Sequence, residues 1–145
     1  EESITDIKVR RLLIAHGGTE DREFLTQFLG TVGGYEVLEA VDGVGLIKGL
    51  KARPDLILMD AGPKGGFLRA LEIIRRTAAL KNTPVAIYSH DQTRLSECVS
   101  KGADGFIMKP CSPAVVLGKV WKLLGLDSPQ DVAAARAKKI PISII

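Results

Sequence analysis

The stretch "LLIAHGGTEDR", residues 12–22, decides how this chain is read. Four apolar residues, Leu12 to Ala15, end abruptly on His16-Gly17-Gly18, and Thr19-Glu20-Asp21 then reads as the opening of a helix. A buried strand, a glycine turn and a helix in immediate succession predict a βα unit, with a strand over Arg11–Ala15. In open parallel sheets the turn beyond such a strand is where ligands bind and chemistry is done. His16, Gly17 and their neighbours are therefore the first candidate site residues.

The same alternation continues downstream. Thr19 is placed to cap the first helix, and Glu20 and Asp21 in its first turn suit the positive end of the dipole. Phe24, Leu25, Phe28, Leu29 and Val32 recur at helical spacing, and Gly33-Gly34 stops the helix. A second strand is expected over 35–40. Asp42 then precedes a short helix with Val44, Ile47 and Leu50 on one face, ended before Pro54. "DLILM" (55–59) is the strongest buried-strand signal and ends on Asp60. Beyond a Gly/Pro-rich loop over 61–66, Phe67, Leu71, Ile74 and Ala78 form a helical stripe. A strand is expected over 84–88, then a helix marked by Leu95, Cys98 and Val99 that Gly102 terminates. The fifth strand is read over Gly105–Met108. Ser112-Pro113 is an N-cap with proline at N1, opening a helix that carries Val116, Val120, Leu123 and Leu124. Five βα units predict an α/β fold, a doubly wound five-stranded parallel sheet with helices on both faces.

Composition sets the outer bounds. The chain has 145 residues, 46% of them hydrophobic and 26% charged, which suits one globular domain with its own core. No apolar run is long enough for a transmembrane helix, and residues 1–11 lack the apolar core of a signal peptide. Two cysteines, Cys98 and Cys111, are too few for a disulfide framework and lack metal-ligand spacing, so reduced thiols and a cytoplasmic location are expected. The net charge is only +3. Its basic cluster, Arg136, Lys138 and Lys139, has no aromatic residues interleaved, so nucleic acid is expected only through some further domain.

The residues 12–22, the strand ending on Asp60, "PVAIYS" (84–89) and above all "GADGFIMKP" (102–110) together resemble a response-regulator receiver domain of two-component signalling. The resemblance covers roughly residues 9–124. It implies a flavodoxin-like sheet of order 2-1-3-4-5 with its site at the C-terminal ends of strands one, three and four. It also implies a signalling module rather than an enzyme, with signalling proteins such as a histidine kinase as partners. By that resemblance Asp60 takes the phosphoacceptor position, where a carboxylate attacks a phosphoryl donor and becomes an acyl phosphate. Ser89 takes the position of the hydroxyl that binds the phosphoryl oxygens, and Lys109 that of the lysine that neutralises them. Phe106 stands where the family carries a switch aromatic. A strand-final Asp, a strand-final Ser or a Lys-Pro pair is each ordinary alone; the three at successive strand ends carry the assignment.

Against that pattern the opening stretch is anomalous. Receivers carry two acidic residues at the end of strand one, which hold Mg²⁺ together with the acceptor aspartate. Here those positions are His16 and Gly17. Glycine has no donor side chain, and imidazole nitrogen suits Mg²⁺ poorly. Glu20 and Asp21 lie near but are read as helix-start residues. The loop after Asp60 departs too, with Pro63 at the third following position and an apparent shortening. His90 stands beside Ser89 where a small residue is usual. These departures predict a degenerate, phosphorylation-independent receiver with no metal, in which Lys109 lies within direct or water-bridged reach of Asp60. The alternative is a conventional receiver that accepts a phosphoryl group on Asp60 and uses Mg²⁺. His16, His90 and Asp60 would also form a donor set for Zn²⁺, but two partly exposed loop histidines, one of them hydrogen-bonded to Asp60, is the simpler reading. "HGG" has a counterpart in the oxyanion turn of α/β-hydrolases, yet no G-x-S-x-G elbow follows. A phosphate-cradling cofactor loop at Gly17-Gly18-Thr19 would face repulsion from Glu20 and Asp21.

The receiver is expected to span residues 8–125. In the remainder, 126–145, Ser128 caps, Pro129 and Asp131 open a helix to Lys139, and Ile140, Ile142, Ile144 and Ile145 make an apolar end. That segment reads either as a linker or as an interaction element joining a further domain or a partner subunit, a homodimer included.

Overall fold

The computed structural model describes residues 9–61 and 66–125. Within them five strands form one parallel sheet: β1 (Arg11–Ala15), β2 (Glu36–Ala40), β3 (Leu56–Met59), β4 (Val85–Ser89) and β5 (Gly105–Met108), in the order β2-β1-β3-β4-β5. The helices are α1 (Thr19–Gln27), α2 (Gly43–Gly49), α3 (Gly66–Arg76), α4 (Leu95–Ser100) and α5 (Pro113–Leu123). α1 runs on through a wider turn, Phe28–Val32, and α2 through a tighter one, Leu50–Ala52. The chain is the doubly wound, flavodoxin-like sheet expected from the sequence. No helix among the described residues is long and apolar enough to cross a membrane.

Strand alternation divides the interior into two layers. Leu13, Ala15, Ile57, Met59, Val85 and Ile87 face α2, α3 and α4 through Leu46, Leu71, Ile74 and Cys98. Their neighbours Leu12, Ile14, Leu56, Leu58, Ala86 and Tyr88 face α1 and α5 through Leu25, Leu29, Val116 and Val120. Strands covered on both faces must be apolar throughout, which is why "LILM" and "VAIYS" are buried at every position while edge strand β2 is not. The order reverses at β1, which pairs with β2 on one side and β3 on the other. The crevice beyond the C-terminal ends of β1 and β3 lies at that switch point.

Several local expectations are corrected. Thr19 is the first helical residue and Gly18 the cap position, with no side-chain cap. Asp42 does cap α2, accepting from the Gly45 N–H at 2.8 Å. Its buried face, however, is Leu46 and Leu50, whereas Val44 is 65% and Ile47 38% exposed. Gly49 explains the choice: a Cβ there would stand 2.8 Å from Leu13 Cδ1, so α2 lies against β1 along its glycine. Ala78 falls past the end of α3 in an exposed turn, and Leu80 closes the core instead. In α4 only Cys98 is buried; Leu95 and Val99 face outward. Ser112 caps α5 as expected, accepting from the Val115 N–H at 3.3 Å. Pro63 and the proposed helix and isoleucines of 126–145 lie outside the described residues.

One side chain ties the far edge together. Arg75 of α3 donates to Gly102 O at 2.8 Å and Thr83 O at 2.7 Å, and pairs with Asp104 at 2.6 Å. It thereby joins the ends of α3 and α4 to the starts of β4 and β5. Gly102 sits there at φ +106°, a conformation that favours glycine.

Candidate functional site

The site is built by the backbone first. The strands hydrogen-bond one residue beyond their ends: His16 N–H donates to Ala40 O at 3.0 Å, Asp60 N–H to Ala15 O at 2.9 Å, and Lys109 N–H to Ser89 O at 2.9 Å. The side chains of residues 16, 60, 89 and 109 are thus delivered to one edge with little freedom. Together with Asp21, Asp91 and Arg94 they line a cleft of about 380 Å³ that also includes His90. The residues singled out in four separate motifs therefore meet. Phe106 lies outside this cleft, half-buried against the α2–α4 layer.

Asp60 is half-buried, and its carboxylate pairs with no described residue. Ser89 is buried, and its hydroxyl oxygen accepts from the Asp91 N–H at 3.1 Å. Asp91 in turn accepts from the Thr93 N–H at 3.0 Å, and the hydrogen bonds from Thr93 hold its carboxyl below the usual range. The Lys109–Pro110 peptide is cis.

Lys109 does not pair with Asp60. Its ammonium donates to Asp21 Oδ2 at 2.6 Å and lies 4.9 Å from the centre of the Tyr88 ring. The direct contact of Lys109 is thus with Asp21, which is more than a helix-start residue, while Asp60 lines the same cleft as Lys109. Tyr88 is 5% exposed, and burial, with Cys111 and Asp21 nearby, pushes its hydroxyl up to about 12.

His16 is also not the partly exposed loop residue expected, nor is it bonded to Asp60. It is 4% exposed, with its ring edge-on to Tyr88. Nδ1 accepts from the Gly18 N–H at 2.9 Å, so the neutral ring carries its proton on Nε2. Nε2 lies 3.4 Å from Asp21 Oδ2 and 3.3 Å from Lys109 Nζ. Two donors therefore share the Asp21 acceptor. A second ring proton would have to sit on Nδ1, breaking the Gly18 bond and adding a cation beside Lys109. Burial, the largest influence, holds the His16 pKa below its ordinary 6.5; Asp60 opposes this and Lys109 reinforces it. Gly18 accommodates the ring, because a Cβ there would stand 3.1 Å from His16 Cε1. Gly17 is different: a Cβ would meet only Val41 O, at 3.7 Å, so the backbone leaves room for a side chain.

Asp21, Tyr88, Asp91 and Arg94 are the site residues that the sequence reading missed. For Asp21 a signal was present. It stands four and eight residues before Leu25 and Leu29, the buried stripe of α1, and so faces inward.

A switch-point cleft with an aspartate after β3, a serine ending β4 and a lysine after β5 is the architecture of a receiver. The family model for the response regulator receiver domain matches residues 13–120 of this chain, and the chain belongs to that family. It is similar to the phosphate regulon transcriptional regulatory protein PhoB of Klebsiella pneumoniae, 29% identical over 130 residues, covering 85% of this chain and 55% of that protein. The chain thus spans about half the length of this curated relative. Among solved structures, the chemotaxis protein CheY4 of Vibrio cholerae is 26% identical with a TM-score of 0.73, over 80% of this chain and 99% of that one. The receiver domain of a signal transduction histidine kinase from Syntrophus aciditrophicus is 26% identical with a TM-score of 0.72, over 83% and 94%. Receiver domains are signalling modules that engage histidine kinases and other signalling proteins, not enzymes in the ordinary sense.

Proposed function

We propose that this receiver works as a phosphorylation-independent interaction module whose site is neutralised internally by the Asp21–Lys109 pair. The carrying observation is the 2.6 Å contact between those two groups. In the family's chemistry the lysine neutralises a phosphoryl group on the acceptor aspartate. In this chain its ammonium already has a carboxylate, and His16 stands beside the same oxygen.

The donor set fits Mg²⁺ poorly. Mg²⁺ needs near-octahedral oxygen ligation. At this edge Asp60 offers its carboxylate, residue 17 offers no side chain, and His16 Nδ1 is already accepting from Gly18. Asp21, a second carboxylate of the cleft, is already engaged by Lys109, and Asp91 by Thr93. Among the described residues no three His, Cys, Asp or Glu side chains are grouped to hold a metal.

Such a domain signals by presenting a fixed surface to a protein partner, in the cytoplasm, with any output supplied by another domain or chain. One observation favours the conventional alternative: Asp60 pairs with no described residue and lines a cleft with Ser89. In that case a histidine kinase would phosphorylate Asp60 with Mg²⁺ bound.

Calorimetric titration with Mg²⁺ tests the reading. The wild-type protein should give no binding heat, and His16→Asp/Gly17→Asp, which rebuilds the acidic pair where residue 17 has room, should gain binding. Millimolar or tighter Mg²⁺ binding by the wild type would contradict the proposal.

A further inference from the structure

Among the open apolar surfaces of the described residues is a groove of about 450 Å³ between β5 and α5, lined by Phe106, Val115 and Leu123 with Lys119 and Lys122, and two more bear on the C-terminal tail. One is the outward side of α2, with Val41, Val44 and Ile47. The other is a groove of about 390 Å³ on α1 and its wider last turn, lined by Phe24, Gln27, Phe28, Thr31 and Val32. In the second, the Phe24 and Phe28 rings stack at 5.9 Å and 7°, forming a ridge, and Val32 is 39% exposed. Glu20 and Glu23 precede that ridge on the same helix, four residues before Phe24 and Gln27 respectively, and both are exposed. Their neighbours are engaged elsewhere: Asp21 with Lys109 and Arg22 with Glu39. The α1 surface is therefore acidic at one end and aromatic at the other.

The chain itself contains the complementary chemistry. Residues 136–145 read "RAKKIPISII", three cations followed by four isoleucines. Charge decides which of these surfaces suits it, since Lys119 and Lys122 line the β5–α5 groove and repel cations there. The α2 surface is bordered by Lys48, Lys51 and Arg53, which repel the cationic part; α1 offers Glu20 and Glu23.

Position agrees. α1 ends at the N-terminal edge of the sheet, since Tyr35 and Glu36 follow it directly into β2. α5 ends at the same edge, because Leu123 packs 3.5 Å from where a Cβ of Gly105, the first residue of β5, would stand. Both helices cover the same layer, through Leu25 and Leu29 on one and Val116 and Val120 on the other. With residues 126–128 extended and 129–135 in the helix read from the sequence, the connection spans about 20 Å, comparable to the length of about 21 Å for α1 with its last turn.

We infer that the segment 136–145 docks on the α1 groove of its own chain, with its isoleucines on the Phe24–Phe28–Val32 ridge and its cations toward Glu20 and Glu23. The receiver then carries a built-in cover over the apolar surface of α1. A partner seeking α1 must displace it. The inference does not depend on whether Asp60 accepts a phosphoryl group.

Hydrogen–deuterium exchange of the full chain tests it, read over residues 24–32 by mass spectrometry. An effective concentration of order 1 mM for such a tether, against a docking constant of order 0.1 mM, predicts about tenfold protection. Ile142→Asp/Ile144→Asp should lose that protection, and so should Glu20→Lys/Glu23→Lys, at exposed positions where the fold tolerates change. Sedimentation across a concentration series is run in parallel and should show a monomer throughout. Equal exchange in wild type and both variants would overturn the inference. So would a concentration-dependent dimer that Ile142→Asp/Ile144→Asp dissociates, because the occupant would then be a second copy.

Discussion

The Lys109 ammonium lies 2.6 Å from the Asp21 carboxylate, and this pair, made between β5 and the first turn of α1, closes the site across the sheet edge. The lysine side chain is 15% exposed and the aspartate 39%, so the contact is only partly screened by water. It places a cation and an anion of the site in contact without a metal or a phosphoryl group. His16 Nε2, 3.4 Å from the same carboxylate oxygen, adds a neutral donor.

The pair should be measurable as a coupling. Asp21→Ala and Lys109→Ala should each destabilise the domain, and the double-mutant cycle should return a coupling of about 1 kcal/mol, small because Asp21 is part-exposed. Urea denaturation of the four proteins checks it. Strict additivity would show that the two groups do not interact in solution.

His16 sets a pH window. Its folded pKa lies below 6.5, so between the two values the unfolded chain binds more protons than the folded one. The stability contributed by neutral His16 is therefore complete above about 6.5 and falls as the pH drops from there toward the folded pKa. His16→Asn, whose side-chain oxygen can accept from Gly18 N–H in place of Nδ1, should flatten that part of the stability–pH curve. An NMR titration of the His16 ring should give a midpoint under 6.5; a midpoint above it would contradict the neutral, Nε2-protonated assignment.

Arg75 should be the costliest surface-proximal residue to lose. Its guanidinium bonds Gly102 O, Thr83 O and Asp104 with the side chain 22% exposed, and three segments are left without their shared donor if it is removed. Arg75→Ala should cost about 2–3 kcal/mol. Arg75→Lys should recover little, since an ammonium cannot reproduce the planar fork. Thermal melting of both variants checks this, and a loss no larger than that of an ordinary exposed substitution would refute the clamp.

Much of this was legible in the sequence, and the failures have a common cause. Strand positions were readable because β1, β3, β4 and β5 are short apolar runs with sharp ends. Asp60, Ser89 and Lys109 were readable because each terminates such a run. What a one-dimensional pattern leaves open is the facing of a helix with apolar residues on two sides. Val44, Leu46, Ile47 and Leu50 allow two stripes around α2, and only the close approach of Gly49 to Leu13 selects the inner one. Asp21 was passed over for a related reason. The helix dipole is sufficient to account for an acidic first turn, which hid its alignment with Leu25 and Leu29 and its reach to Lys109. A strand-end histidine is commonly part-exposed; His16 is buried against Tyr88, distant in the chain, with its ring held by Gly18 two residues on.

The central claim, that the site is internally neutralised and does not take up a phosphoryl group, is tested most directly by intact mass. The wild-type protein is incubated with Mg²⁺ and a small phosphodonor, then weighed beside Asp60→Ala and His16→Asp/Gly17→Asp. No stable phosphoryl adduct is expected on the wild type or on Asp60→Ala, and an adduct is expected on the protein whose acidic pair has been rebuilt. An adduct on the wild type that disappears in Asp60→Ala would contradict it and establish a working phosphoacceptor.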